Sequence, residues 1–164
     1  MNIARGLAEL ERRQQNSLGF LLIRCGHLWN ERAIGRVNAE AGRPVLRESH
    51  TKLLPWLQAP EGIRITDLAQ AVGVTKQAVQ PLVAELAREG IVDVSVDPDD
   101  ARARRVTLTP KGVEAMRHGT GVLETLENEL GPTLGKGEAR ELKRLLRGLL
   151  RALEPSGNLV ANLK

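Results

Sequence analysis

Residues 65–112 read ITDLAQAVGVTKQAVQPLVAELAREGIVDVSVDPDDARARRVTLTPKG, and the order of signals in this stretch decides the fold. Thr66 is placed to cap a short first helix whose apolar face carries Leu68, Ala69 and Val72, and Gly73 supplies the left-handed residue that stops it. Thr75 is placed to cap a second helix. There Ala78, Val79, Leu82, Val83 and Leu86 recur at three- and four-residue spacing as the face expected to be buried, leaving Lys76, Gln77, Gln80 and Arg88 outside. Gly90 ends that helix. Val92, Val94 and Val96 then alternate with Asp93 and Ser95 as in a half-buried strand, and Arg104 to Leu108 is the expected return strand. Between the strands, Asp97-Pro98-Asp99 has turn chemistry, and Arg102 follows Asp100 closely enough for a local ion pair. The pattern is a helix-turn-helix followed by a hairpin with an arginine at its tip.

The segment resembles the winged helix-turn-helix of the MarR family of bacterial transcriptional regulators. DPDDARARRVTLTPKG is similar to that family's wing signature: an Asp-x-Arg at the tip, a Val-x-Leu-Thr strand, and a helix with a glycine near its start. TKQAVQPLVAELAREG matches the second helix of the reader, and the flanking segments agree in helix order and length. The resemblance implies a mainly α chain with a small β-hairpin wing, in which helices from both chain ends form a homodimer. It places the dimerisation regions at residues 1–45 and 111–164 and the DNA-binding domain at 46–110.

A length of 164 residues suits one structural unit with a sizeable core. Phe20, Trp29 and Trp56 are the only aromatic side chains, so the core must be aliphatic, and the stacking platforms of single-stranded nucleic-acid binders are missing. One cysteine allows neither an internal disulfide nor a multi-cysteine zinc site, which fits a reducing cytoplasm. No apolar run reaches membrane-spanning length, and residues 1–15 are too charged for a signal peptide; the expectation is a cytoplasmic protein with no membrane partner. The net charge of +4 suits nucleic acid, but residues 64–111 hold seven Lys or Arg against seven Asp or Glu. Placement, not total charge, must therefore locate a DNA site.

Outside the reader, Leu18, Leu21, Leu22, Cys25, Leu28, Trp29 and Ala33 mark one long amphipathic helix from Ser17 to Val37, with Leu7 and Leu10 in a preceding turn or helix. Pro44 breaks the chain. Arg47 to Gln58 is expected to be helical with Leu53, Leu54 and Leu57 inward, kinked or divided by Pro55, and Ile63 to Ile65 to add a short third strand. After the hairpin, Thr109 and Pro110 open a helix with Val113, Met116, Leu123, Leu126 and Leu130 as its stripe, ended by Gly131-Pro132. A last helix over residues 137–153 carries Leu142, Leu145, Leu146, Leu149, Leu150 and Leu153, and Pro155-Ser156-Gly157 releases a tail. These leucines exceed what a reader of about 45 residues needs, and a helical dimer interface would bury the surplus.

Thr75, Lys76, Gln77 and Gln80 open the second helix, where N-terminal residues of a helix-turn-helix meet base edges and helix amides favour phosphate. Gln suits adenine and Lys suits guanine or phosphate. Pro81 removes the hydrogen bond to Gln77 and is expected to bend the reading helix. Arg102 at the tip is suited to a narrow minor groove, while Arg104 and Arg105 read as phosphate contacts or as partners within the hairpin. Arg24, His27 and Trp56 are candidates for lining an effector cleft. His27, His50 and His118 lack ligand spacing, so no metal and no cofactor is implied.

One MarR branch senses hydroperoxides through a Leu-Cys-Phe near the start of its first long helix. Here Leu18-Gly19-Phe20 puts a glycine at that position, and the chain has no tyrosine to activate a thiolate. Cys25, on the apolar face, reads as a small buried hydrophobe. No nucleophile–base pair, paired carboxylates or phosphate-cradling glycine loop points to an enzyme. The expected function is a homodimeric repressor of pseudo-palindromic double-stranded DNA, released, by family analogy, by a small effector. A thiol-based redox switch on the same fold and a winged-helix protein adaptor are the alternatives.

Overall fold

The computed structural model describes residues 3–153, and the chain divides after Glu48 into two compact units. The first holds α1 (Ile3–Gln15) and α2 (Leu18–Glu40). Ser17 caps α2, its hydroxyl accepting from the Phe20 amide at 3.4 Å, and the helix runs three residues beyond the expected end. Asn38 then takes hold of the segment that Pro44 breaks: its side-chain oxygen accepts from the Val45 and Leu46 amides at 2.9 and 2.8 Å, and its amide donates to the Leu46 carbonyl. Cys25 is exposed, against the buried position expected of it. In this chain taken singly, the face of α2 that carries Leu18, Leu21 and Leu28 is open as well.

In the second unit, the stretch containing Pro55 forms two short pieces, α3 (Glu48–Thr51) and a 3₁₀ turn (Leu54–Gln58). Pro55 sits in the first positions of that turn, where its missing amide leaves no bond unmade. β1 (Ile63–Arg64), α4 (Ile65–Val72), α5 (Lys76–Arg88), β2 (Val92–Val96), β3 (Arg104–Leu108), α6 (Pro110–Glu129) and α7 (Lys136–Leu153) follow. The sheet is antiparallel in the order β1-β3-β2, with Ile63 opposite Val106 and Val94 opposite Val106 on the other side. Ile63 does join the sheet, whereas Ile65 already belongs to α4.

The core lies where the helix-turn-helix meets the base of the hairpin. Leu53, Leu57, Ile63, Ile65, Leu68, Ala69, Val79, Val83, Leu86, Val92 and Val106 form one buried cluster, with Leu54, Trp56, Val72 and Leu82 packed on it. Each such aliphatic side chain contributes about 1.5–3 kcal/mol when fully buried. The cluster draws on every element from the 3₁₀ turn to β3, so the reader and the base of its wing are held by one core.

Four details depart from the sequence pattern. Thr66 does not cap α4: the helix starts one residue earlier, Arg64 holds the cap position, and the Thr66 hydroxyl bonds to Asp67. Ala78 is exposed, because the buried face of α5 follows Val79, Val83 and Leu86 and leaves Ala78 to one side. Val94 and Val96 are exposed, since β2 runs past the core after Val92. In α6 the buried side chains are Val122 and Leu126, while Val113 and Leu123 stay open. The leucines of α7 from Leu142 to Leu153 are largely exposed, and the stretch at 155–157 lies outside the described residues.

Candidate nucleic-acid interface

Two chain reversals set the reading helix. At the first, Gly73 adopts φ 75°, its amide donates to Gln70 and that of Val74 to Ala69, closing α4 with a left-handed cap. Two residues on, Thr75 caps α5 with its hydroxyl accepting from the Ala78 amide at 3.2 Å. Lys76, Gln77 and Gln80 follow on the exposed side, Lys76 and Gln80 four residues apart and therefore neighbours on the helix surface. Pro81 is exposed within an α-helix that runs without interruption from Lys76 to Arg88, so it forfeits the bond to Gln77 without breaking the element.

The second reversal fastens the far end of α5 to the start of α6. Gly90, at φ 72°, turns the chain. Thr109 caps α6 by accepting from the Gly112 amide at 2.9 Å, and the same hydroxyl donates to the Gly90 carbonyl at 2.6 Å. Lys111 reaches back to the Glu89 carbonyl at 2.6 Å. Gly112 packs so closely on Ile91 that a Cβ would drive into its carbonyl oxygen. On the buried side of α5, His50 of α3 meets the Glu85 carboxylate at 3.0 Å, a tie that sequence spacing gave no reason to expect.

The wing divides its arginines into two kinds. Arg102 and Arg104 are exposed and have no carboxylate partner among the described residues. The ion pair expected between Asp100 and Arg102 is replaced by a turn: the Asp100 carboxylate accepts the backbone amide of Arg102 at 2.9 Å. Arg105 points the other way. Its Nε donates to Asp97 at 2.9 Å, its Nη2 lies 2.8 Å from the same carboxylate, and its Nη1 donates to the Glu61 carbonyl. Arg105 is therefore engaged within the protein, as the partner within the hairpin that was the alternative to a phosphate contact.

Asp97 is the residue the sequence did not reveal. It is 2 % exposed at the end of β2, and its carboxylate accepts two bonds from Arg64, at 2.8 and 2.9 Å, together with the Asp99 amide at 3.0 Å. The bonds from Arg64 hold its carboxyl far below the usual carboxylate range, with the Asp99 amide and Arg105 adding to the effect against desolvation, and the Arg64 pKa is raised in return. The strand pairing gives the reason for it: Arg64 and Arg105 stand opposite each other in the β1–β3 register. Like charges in that position repel unless an anion lies between them.

Of the effector candidates, Arg24 and His27 are exposed on α2 in the first unit, and Trp56 packs on the reader core in the second. No described helix is long and apolar enough to cross a membrane.

A family model described as "MarR family" matches residues 50–103, from α3 to the wing tip. The transcriptional activatory protein BadR of Rhodopseudomonas palustris is 29% identical over 144 residues, covering 85% of this chain and 78% of BadR. The HTH-type transcriptional regulator PetP of Rhodobacter capsulatus is 31% identical over 64 residues, 39% of each chain. Among solved structures, MepR, a transcription regulator of the Staphylococcus aureus multidrug efflux pump MepA, aligns with a TM-score of 0.62 at 21% identity, over 84% of this chain and 99% of its own. The repressor CouR bound to a 23-mer DNA duplex aligns at 0.63 and 22% identity, over 83% and 94%. These structural likenesses speak to the fold alone. The segment similar to the MarR family, residues 50–103, holds the helix-turn-helix, the wing up to its tip and every residue of the reader core but Val106.

Proposed function

We propose that the protein binds duplex DNA sequence-specifically as a homodimer, reading base edges with Thr75, Lys76, Gln77 and Gln80 and the backbone and minor groove with Arg102 and Arg104. One observation carries this reading: the Thr75-capped end of α5 and the wing both expose polar or cationic side chains, while α5 and the base of the wing are held by a shared core. A helix N-terminus of this kind offers amides and a favourable dipole to phosphate, and Gln and Lys offer donors to base edges. Arg105 belongs to the wing's internal support in this reading. The relatives named above as regulators, and the CouR complex with DNA, support it.

Homodimerisation is supported by the open leucine face of α7, with residues 1–45 and 111–164 flanking a reader at 46–110. The regulation proposed is repression by occupying an operator, relieved by a small-molecule effector. BadR carries the opposite sign in its name, so the sign is read directly from transcription of a reporter with the selected operator placed at its promoter.

The test is selection of duplexes from a random pool, followed by titration of the selected and a scrambled duplex across salt concentrations. Sequence preference, a logarithmic fall of affinity with salt, and protected half-sites about one helical turn apart are expected. Salt-insensitive binding, or none, would overturn the DNA reading in favour of a protein adaptor. The exposed Cys25 keeps the redox alternative testable: peroxide should leave DNA affinity unchanged in wild type and in Cys25→Ser alike.

A further inference from the structure

We propose that Asp97 is the positioning residue of the wing, holding the tip that carries Arg102 in a fixed relation to the helix-turn-helix. The role in DNA binding rests on the function proposed above; the clamp itself does not. Packing cannot orient the outer wing, because Val94 and Val96 are exposed and the buried contacts of β2 end at Val92. Backbone pairing does little more. The β2–β3 ladder ends at Val96 opposite Arg104, and β1 contributes two residues. Beyond the ladder, Asp97 donates its amide to Ala103 and Ala103 donates to Asp100, which closes the tip upon itself without tying it to the reader.

The Asp97 carboxylate makes that tie. One oxygen takes the Asp99 amide and so shapes the turn, and the two together receive the Arg64 guanidinium as a fork. Arg64 is the residue that leads directly into α4. Arg105 closes the clamp from β3 and reaches on to the Glu61 carbonyl before β1. The tip is thereby fastened to the first helix of the helix-turn-helix through a carboxylate that is 2 % exposed, where an ion pair is screened little by solvent. A minor-groove arginine is productive only when its strand pair delivers it at the right place, so Asp97 acts on DNA through Arg102.

The experiment uses the full chain with Asp97→Asn, which keeps the shape and removes the charge. In the DNA-free protein, hydrogen exchange at the Arg102 and Ala103 amides should quicken roughly tenfold while the core amides of α4 and α5 stay protected. On an A·T-flanked selected duplex, Asp97→Asn and Arg102→Ala should each weaken binding by roughly tenfold, and the double variant by no more than about twofold beyond either. Gln77→Ala, combined with Asp97→Asn, should instead multiply. Unchanged exchange at those two amides in a folded variant overturns the clamp whatever the DNA result. Quickened exchange with losses that multiply between Asp97→Asn and Arg102→Ala overturns the positioning role alone. A wild-type protein that binds no duplex overturns the DNA reading and with it the role at DNA, while the exchange measurement still decides the clamp. If Asp97→Asn unfolds throughout, Arg64→Lys carries the same two readouts, since lysine keeps the charge and loses the fork.

Discussion

Arg104 and Arg105 are adjacent, identical in type, and opposite in circumstance: one is exposed, the other is held between Asp97 and Glu61. Substitution should separate them from each other and from the base readers. Gln77→Ala or Gln80→Ala should cost about 1–3 kcal/mol on the preferred operator and little on scrambled DNA. Arg104→Ala should weaken all duplexes alike and lower the salt slope by roughly one unit per subunit. Titration of these variants on both duplexes at several salt concentrations is the measurement; identical behaviour of Gln77→Ala and Arg104→Ala would remove the helix as the base reader. Asp97 supplies a second residue-scale prediction, through pH. Its pKa is lowered in the folded state from an ordinary value of 3.8, so the stability it lends is fully present above that pH and is lost as pH falls below it. Urea unfolding should therefore show Asp97→Asn well below wild type at neutral pH, with the gap narrowing under acid conditions. A gap that stays constant from neutral to acid pH would mean that the carboxylate's charge is not what stabilises.

At the scale of elements, the junctions at either end of α5 differ in how much they tolerate. The start is a helix cap with open space around it, and Pro81 is exposed, so its ring adds no burial. Pro81→Ala restores a donor to the Gln77 carbonyl and should raise stability by about 1 kcal/mol, the net value of one hydrogen bond, while altering which operators are selected. A fall in melting temperature with unchanged selection would show that the proline neither costs stability nor shapes recognition. The far end is closed: Thr109, Lys111 and Gly112 all bear on residues 89–91. Gly112→Ala should cost about 1–3 kcal/mol by overpacking against the Ile91 carbonyl, read as a lower midpoint in urea, whereas Gly119→Ala in the same helix meets open space and should be close to neutral or stabilising. Equal effects at the two glycines would refute the close packing at this joint.

For the molecule as a whole, the open leucines of α7 form an apolar face without cover in this chain taken singly, with Leu145, Leu150 and Leu153 each more than half exposed. A surface of that kind is covered in solution when a partner is available. Sedimentation of the full chain at micromolar concentration should give a species of twice 17.9 kDa, and removal of residues 137–164 should give monomer or aggregate. A stable monomer of the shortened chain that still binds its operator would place the dimer interface elsewhere.

Local chemistry written along the chain determined most of the reader. Gly73, Gly90, Thr75 and Thr109 act on neighbours within a few residues, so the helix-turn-helix, the Thr75 and Thr109 caps and the return strand were legible from spacing alone, while the cap expected at Thr66 was not formed. Burial was less legible, because periodicity shows which residues share a face and not where the core ends. Val94 and Val96 keep the alternation of an inward strand and are exposed, since β2 outruns the helices that cover its first residue. Only the tertiary structure decided the roles of the arginines. Arg64 and Asp97 are 33 positions apart, and they meet because sheet order β1-β3-β2 sets Arg64 opposite Arg105 and leaves two facing guanidinium groups in need of one carboxylate. A like-charge repulsion created by strand register has no counterpart in the linear sequence, and its resolution by Asp97 is what divides the wing's arginines into an engaged Arg105 and the exposed Arg102 and Arg104.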